Sequence, residues 1–236
     1  MKFEQTDQQY LEKRKLISEK YGERQLWSVI DHWPLYCGVQ NLARNIAITD
    51  FLRGTLNVPG HIAEFGSWRG ANLMLMAKLL RILDPYSCKL VYGFESFEGL
   101  SDFDNKDYAA VMQSGAYKGS YEELADLIDL YEMQDEIKIE KGNILETLPK
   151  LLEQEQSLSF SFVYCDTDLY ATTKLILDKL HDRLSTGGLF LFDQWNYSKW
   201  PGESVAVREF LSEHGEKYEM IHIRNARQPS LALRKK

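Results

Sequence analysis

Hydrophobic residues follow two different patterns along the chain, and the pattern changes near Pro59 and Gly60. Before this point, residues 8–21 are rich in Leu, Glu and Lys, and residues 39–56 repeat apolar side chains at helical intervals, so both stretches are predicted helices. After it, short apolar runs alternate with helical stretches. The runs are HIAEF (61–65), KLVYGF (89–94), EIKIE (136–140), FSFVYC (160–165) and GLFLF (188–192). This alternation predicts βαβ units built on a parallel sheet.

The helical stretches between these runs are the predicted crossover helices. They cover residues 71–83, 121–131, 171–184 and 204–213. The third is expected to end at the stop signal Gly187-Gly188, and two strand-like runs, 218–224 and 230–234, predict a closing antiparallel hairpin. The chain therefore divides into an N-terminal helical extension, residues 1–58, and a sheet domain, residues 59–236.

The composition narrows the class of protein. Of the 236 residues, Lys and Arg number 28 and Asp and Glu 35, which gives a net charge of −7 and disfavours a nucleic-acid partner. Three scattered cysteines without a CxxC pair predict neither a disulfide framework nor a structural zinc site. The N-terminal residues lack the apolar run of a signal peptide, and no stretch is apolar enough for a membrane span. We expect a soluble cytoplasmic protein.

Polar residues follow each of the five predicted strands directly. They are residues 64–70, 95–96, 142–143, 166–168 and 193–194. Ligands of open α/β sheets bind outside the carboxyl ends of the strands, so these residues predict one binding site at that edge. Residues 99–120 are polar, contain glycine and exceed a usual crossover loop, which makes them a candidate lid over it.

The first of these loops carries glycines at Gly66 and Gly70 but has Trp68 where a dinucleotide fingerprint needs its second glycine. The bulk of Trp68 disfavours a closely approached pyrophosphate and leaves room for a nucleoside with an amino-acid tail. Glu95 ends the next strand, where a carboxylate accepts hydrogen bonds from ribose hydroxyls. S-adenosylmethionine has these chemical features.

The fourth and fifth strands deliver carboxylates to the same edge. Asp166 and Asp193 are separated by one crossover, and with the amide oxygen of Gln194 they form a hard-oxygen set suited to Mg²⁺ or Ca²⁺. The same aspartates would also suit helix caps, and Asp168 is the preferred candidate for an N-cap. Trp195, Tyr197 and Trp200 follow closely and could form an aromatic wall for a ring-shaped acceptor.

Five segments in order resemble the macrocin O-methyltransferase family of class I S-adenosylmethionine-dependent enzymes. They are HIAEFGSWRGANLML, VYGFESFEGL, GNILETLP, VYCDTDLYATT and LSTGGLFLFD. The resemblance implies a Rossmann-like α/β fold: a seven-stranded, mostly parallel sheet in the order 3-2-1-4-5-7-6 with helices on both faces. It implies that S-adenosylmethionine contacts Glu64, Gly66, Ser67, Trp68, Gly70, Glu95, Ser96, Asn143, Ile144 and Asp166. It also implies Mg²⁺ on Asp166, Asp193 and Gln194, with Asp166 and Asp193 as the catalytic residues.

The chain departs from the family pattern at two places. Gln194 stands where the family has a second aspartate, which removes one negative charge from the implied metal shell. The lid, here residues 99–135, contains no histidine, whereas the family places a histidine thought to be the general base there. Metal dependence and the identity of the base are therefore open at this point.

The sequence predicts an O-methyltransferase that acts on a hydroxyl of a small molecule, with a sugar or other natural product as the expected acceptor. An NAD-dependent oxidoreductase of the same topology and a non-catalytic methyltransferase-like scaffold are the alternatives. The amphipathic N-terminal helices are candidates for a lid or for a homo-oligomer interface.

Overall fold

A computed structural model describes residues 26–108 and 114–236, together with Glu12, Lys15 and Glu19. The helix predicted over residues 8–21 therefore lies almost wholly outside the described residues. The chain separates into two compact units, with the boundary between Asn41 and Leu42. Within the part of the chain that the structure describes, no helix is both long and apolar enough to cross a lipid bilayer.

Seven strands form one sheet in the second unit. They are β1 (His61–Phe65), β2 (Val91–Glu95), β3 (Ile137–Lys141), β4 (Phe160–Cys165), β5 (Leu184–Phe192), β6 (Tyr218–His222) and β7 (Leu231–Lys235). Their order across the sheet is β3-β2-β1-β4-β5-β7-β6. The first five are parallel, and β7 runs antiparallel to both β5 and β6. The predicted fold class, strand order and closing hairpin are confirmed.

Two short helices lie in the first unit, α1 (Leu26–Asp31) and α2 (Trp33–Tyr36). In the second unit, helices cover both faces of the sheet. They are α3 (Val39–Arg53), α4 (Ala71–Leu83), α5 (Tyr121–Leu130), α6 (Ile144–Gln154), α7 (Tyr170–Leu180) and α8 (Pro201–His214). One core joins one side of the sheet to α3, α4 and α5, and the other core joins the opposite side to α6, α7 and α8. Neighbouring residues such as Phe162 and Val163 enter opposite cores, because successive side chains of a strand point to opposite faces. Because both faces of these strands are buried, their sequences are continuous apolar runs.

Helix α3 belongs to the second unit from Leu42 onward, although residues 1–58 are the predicted N-terminal extension. Its residues Ala47, Ile48 and Leu52 are buried in the core on one face of the sheet. Their spacing of one and four residues places them on a single side of the helix. The helix therefore helps to hold the sheet that carries the site.

The third predicted helix was extended too far. Helix α7 ends at Leu180, and Gly187 and Gly188 lie inside β5 instead of marking a helix stop. A Cβ at Gly188 would lie 3.0 Å from the backbone oxygen of Ser161, so this glycine lets β5 approach β4 closely. The pairing of the two strands shifts register there, which is a common place for glycine in a strand. Helix α6 was not predicted as a helix.

The central strand β4 supplies the first test of this packing. Phe162 is fully buried, so Phe162→Ala should lower the free energy of unfolding by about 3–5 kcal/mol because it leaves a cavity between the sheet and its helices. Urea denaturation followed by circular dichroism measures this change. Ile82→Ala is the control, since Ile82 is 73% exposed on α4, and it should change stability by less than about 0.5 kcal/mol. Equal effects of the two substitutions would contradict the assigned core.

Candidate active site

The carboxyl ends of the central parallel strands open into a cavity of about 320 Å³. It is lined by nine of the residues that the sequence analysis selected: Gly66, Trp68, Glu95, Ser96, Asn143, Ile144, Asp166, Asp193 and Gln194. They come from the loops after β1 to β5, because parallel strands bring all their carboxyl ends to one edge. The structure thus brings together residues that are far apart in sequence.

Three other selected residues, in β1 and in the loop after it, do not line this cavity. Gly70 precedes α4 and packs against the side chain of Leu124. Glu64 and Ser67 are buried, and neither Glu64 Oε2 nor Ser67 Oγ has a hydrogen-bond partner among the described residues. Burial raises the pKa of Glu64 to about 8.

The loop after β1 is held against the end of β2. Gly66 has a φ of +84°, and a Cβ there would lie 2.1 Å from the backbone oxygen of Asp166, so a side chain at this position would collide with the neighbouring loop. The amide of Trp68 donates a hydrogen bond of 2.7 Å to Glu95 Oε2, and the amide of Phe97 donates one of 2.9 Å to Oε1. These bonds fix the Glu95 carboxylate at the cavity wall.

The lid residues that the structure describes also contact this site. Residues 99–102 and Tyr117 line the cavity. Asn143 donates a hydrogen bond of 2.8 Å to Asp102. Asp107 is fully buried and accepts a 2.8 Å hydrogen bond from the amide of Tyr170 at the start of α7. The lid is thereby fastened at its base to both sides of the cavity.

Asp166 and Asp193 lie side by side at the ends of β4 and β5, and hydrogen-bond donors surround them. Arg44 from α3 donates to Asp193 Oδ2 at 3.0 Å and to Asp166 Oδ2 at 3.4 Å. The amide nitrogen of Gln194 lies 2.9 Å from Asp193 Oδ2 and 3.2 Å from Asp166 Oδ1. The buried hydroxyl of Tyr164 donates to Asp193 Oδ1. Each of the four carboxylate oxygens therefore accepts a hydrogen bond from the protein.

Burial governs the ionisation of this cluster. It raises the pKa of Asp193 to about 8, the charge of Asp166 adds to the rise, and Arg44 opposes it. Burial by itself would lower the pKa of Arg44. The charge interactions of Arg44 with Tyr164, Asp193 and Asp166 are together stronger, and they raise its pKa above the ordinary value. Arg44 is consequently a permanent cation of this centre.

Asp168 lines the same cavity and is not the helix cap that the sequence predicted. The N-cap residue of α7 is Leu169, whose apolar side chain cannot accept a hydrogen bond. Asp168 instead sits in the left-handed region with a φ of 63°, a costly conformation that clusters at functional sites. Burial, reinforced by Asp166 and Asp193, raises the pKa of Asp168 well above its usual range.

Aromatic side chains form one wall of the cavity. Tyr117 from the lid makes edge contacts with Trp68, at a ring-centre distance of 5.7 Å, and tilted contacts with Trp200, at 6.1 Å. Tyr197 also lines the cavity, as the sequence predicted for it and Trp200. Trp195, the third residue of the predicted wall, instead packs against the hydrophobic core.

Sequence reasoning missed Arg44 as a member of the site, because it lies 122 and 149 positions before the two aspartates that it binds. A signal was nevertheless present. Arg44 precedes the buried residues Ala47, Ile48 and Leu52 by three, four and eight positions, which places it on the buried side of α3. A cation on the buried side of a helix needs a buried partner of opposite charge.

Comparison with solved structures defines the class of this fold. The calicheamicin methyltransferase CalS11 matches with a TM-score of 0.79, over 94% of this chain and 90% of that chain, at 23% sequence identity. The O-methyltransferase NovP matches with a TM-score of 0.70, over 82% and 79% of the two chains, at 25% identity. The architecture is that of the class I S-adenosylmethionine-dependent methyltransferases.

The sequence comparison resolves the family. A family model described as macrocin O-methyltransferase (TylF) matches residues 38–227, and the chain belongs to that family. Two relatives are demethyldecarbamoylnovobiocin O-methyltransferase of Streptomyces niveus, 29% identical over 71% of this chain, and mycinamicin III 3''-O-methyltransferase of Micromonospora griseorubida, 25% identical over 70%. The matched segments span 64% and 66% of the lengths of these relatives, just under two thirds.

The buried carboxyl of Glu64 makes stability depend on pH. Its pKa is about 8 in the folded chain against an ordinary value of 4.5, so between these values the folded state holds a proton that the unfolded state releases. Stability should therefore fall as pH rises from about 5 to 8, by at most about 1.4 kcal/mol per pH unit for one such group.

Glu64→Gln should make this fall less steep, because it removes one of the buried carboxyl groups whose pKa is raised. Thermal unfolding at a series of pH values measures the effect. Glu213→Gln on the exposed side of α8 is the control and should follow the wild-type profile. Parallel profiles for Glu64→Gln and the wild type would show that Glu64 does not titrate in this way.

Proposed function

We propose that this protein transfers a methyl group from S-adenosylmethionine to a hydroxyl group of a small-molecule acceptor. The observation that carries this proposal is the single cavity that joins the Gly66 loop and Glu95 to the carboxylate of Asp168. The Gly66 loop and Glu95 are suited to bind a nucleoside with an amino-acid tail. The carboxylate of Asp168 is suited to accept the proton of an acceptor hydroxyl. Membership of the macrocin O-methyltransferase family supports the same reaction.

The residues present fit S-adenosylmethionine. The Glu95 carboxylate is already oriented by two backbone amides and by the Ser96 hydroxyl. A carboxylate offers about four acceptor positions, so one is left, on Oε2, for a ribose hydroxyl. Asn143 and Ile144 line the same end of the cavity and would flank the adenine. Gly66 lines the same cavity with backbone atoms alone. When bound, S-adenosylmethionine supplies a methyl group activated by its positive sulfonium.

The residues present do not fit the Mg²⁺ ion that the sequence led us to expect. A cation already lies between the two carboxylates, since the guanidinium of Arg44 donates to Asp166 Oδ2 and Asp193 Oδ2, and a Mg²⁺ ion there would meet like charge. Gln194 and Tyr164 donate hydrogen bonds to the other two oxygens. Gln194 turns its amide nitrogen to both carboxylates. Among the described residues, no group of three or more His, Cys, Asp or Glu side chains is arranged to hold a metal ion.

We assign the general base to Asp168. The lid lacks the histidine of the family pattern, and Asp168 lines the cavity in a strained backbone conformation with a raised pKa. A raised pKa makes the ionised form of a carboxyl group a stronger base, so once Asp168 is ionised its oxygen can take the proton of an acceptor hydroxyl. Asp166 and Asp193, the predicted catalytic pair, shape the charge around it.

The acceptor is proposed to bind against the aromatic wall of Trp68, Tyr117 and Trp200. Flat apolar faces with polar groups nearby suit a ring that carries hydroxyls, such as a sugar or a phenol. The names of the two relatives refer to a novobiocin precursor and to mycinamicin III, both natural products. We therefore propose a sugar hydroxyl on a natural product as the acceptor. The cytoplasmic location and an oligomer formed by the N-terminal helices stay predictions.

Cofactor placement is tested by binding of S-adenosylhomocysteine in isothermal titration calorimetry. Glu95→Gln should weaken binding by about 10- to 100-fold, because hydrogen bonds to a charged group are worth about 1.5–3 kcal/mol. Glu213→Gln, far along the chain on α8, should bind like the wild type. Wild-type protein that binds NAD and not S-adenosylhomocysteine would instead support the oxidoreductase alternative.

The role of Asp168 is tested by transfer of a labelled methyl group to a panel of nucleotide-linked and glycosylated acceptors. Asp168→Asn should lower turnover by about 10²–10⁴-fold, while affinity for S-adenosylhomocysteine stays within about threefold. Asp182→Asn is the control, since that side chain is 95% exposed. Cofactor binding without turnover on any acceptor in the wild type would favour a non-catalytic scaffold.

A further inference from the structure

The positive charge beside Asp166 and Asp193 comes from a side chain of the protein itself, Arg44. The guanidinium of Arg44 spans the two carboxylates, with one terminal nitrogen on each, at 3.4 Å from Asp166 and 3.0 Å from Asp193. Asp193 is 1% exposed, so its charge has almost no water to stabilise it. Two anions so close together need a cation between them, and Arg44 is placed to provide it.

The count of charges in the centre agrees with this assignment. The metal site implied by the family resemblance has three carboxylates around a divalent cation, with a sum of −1. Here, once Asp193 is ionised above its raised pKa, two carboxylates and the neutral amide of Gln194 surround one guanidinium, which also gives −1. Gln194 removes one negative charge from the implied metal site, and a guanidinium carries one positive charge fewer than a divalent metal ion. The two changes therefore balance.

Helix α3 holds Arg44 in this position. Ala47, Ile48 and Leu52 on the same side of the helix are buried in the core, so the backbone below Arg44 cannot shift without disturbing the sheet packing. A guanidinium is planar and presents five donors in a fixed fork, and the two ion pairs engage one N–H on each terminal nitrogen. Its side chain also lines the cavity, where further donors are available to an acceptor oxygen.

We propose that Arg44 is the resident cation of this centre, in the place where the family resemblance implies a divalent metal ion. It holds Asp166 and Asp193 together as a positioning residue, and the centre does not take up Mg²⁺ while Arg44 is present. This inference rests on the proposed function only for its catalytic consequence. The exclusion of metal is a property of the folded chain and is measured separately.

The first experiment uses the wild-type protein and the metal alone. Electron paramagnetic resonance of added Mn²⁺, a probe for Mg²⁺ sites, should detect no stoichiometric binding. Methyl transfer should be unchanged after treatment with EDTA. Stoichiometric Mn²⁺ binding, or loss of transfer with EDTA that Mg²⁺ restores, would overturn the inference. The Mn²⁺ measurement remains decisive even if no acceptor is methylated, so failure of the proposed function is distinguishable.

The second experiment removes the cation. Arg44→Ala should create a Mn²⁺ site on the freed carboxylates and should lower turnover by about 10²–10³-fold, as for loss of a preorganised charge, with partial recovery on addition of Mg²⁺. Arg44→Lys keeps the charge but not the planar fork, so it should exclude Mn²⁺ and recover only part of the activity. A thermal melt of each variant checks that it is folded.

Arg53→Ala is the matched control for the second experiment. Arg53 lies on the same helix, its side chain is 59% exposed, and it pairs only with the exposed Asp50 at 3.9 Å among the contacts described. This variant should neither bind Mn²⁺ nor lose activity. A folded Arg44→Ala variant that behaves like Arg53→Ala in both measurements would contradict the assignment of Arg44.

Discussion

Repulsion between two carboxylates at the ends of adjacent strands is the constraint on which the centre of this molecule depends. The parallel sheet brings Asp166 and Asp193 to one edge, and the packing of β5 removes Asp193 from water. An isolated buried charge is strongly unfavourable, so the surrounding side chains must compensate it. Arg44, Gln194 and Tyr164 do so from three different elements, which are α3, the loop after β5 and β4.

The need to compensate buried charge also involves α8, which packs beside the loop after β5. Glu203 on α8 is fully buried, and its Oε1 accepts a 2.7 Å hydrogen bond from the backbone amide of Gln194. This bond fixes the loop that presents the amide nitrogen of Gln194 to the aspartates. Burial, followed by the nearby Asp193, raises the pKa of Glu203 well above its usual range. The loop beside Asp166 and Asp193 is thus held by a further buried acidic residue, Glu203, through a hydrogen bond from the backbone.

Much of the fold could be predicted from sequence because local patterns determine it. Strands β1 and β4 and helix α4 begin and end where the apolar runs predicted, since each is bounded by glycine or by polar residues. The two glycines in β5 were misread because glycine marks both helix ends and close strand contacts, and only the neighbouring strand decides between them. Asp168 was misread for a similar reason, since a carboxylate before a helix is usually a cap.

The site was predictable as far as side chains follow strands, because the carboxyl ends of parallel strands converge whatever the loops contain. Arg44 could not be placed in this way. It lies on a helix before the first strand, and its partners are determined by tertiary packing. Periodicity placed it on the buried side of α3, but only the assembled sheet shows what it meets there.

An arginine that bridges two carboxylates differs from a bound metal ion because its presence at the site does not depend on the concentration of free ions. Occupancy of a metal site follows the free concentration of the metal, whereas a side chain carried on the same chain is present at its site whenever the helix is folded. The electrostatics of this centre would then follow the local stability of α3 and not the supply of cations in the surroundings. Any fluctuation that unfolds α3 would remove the cation and leave the two aspartates uncompensated at the same moment.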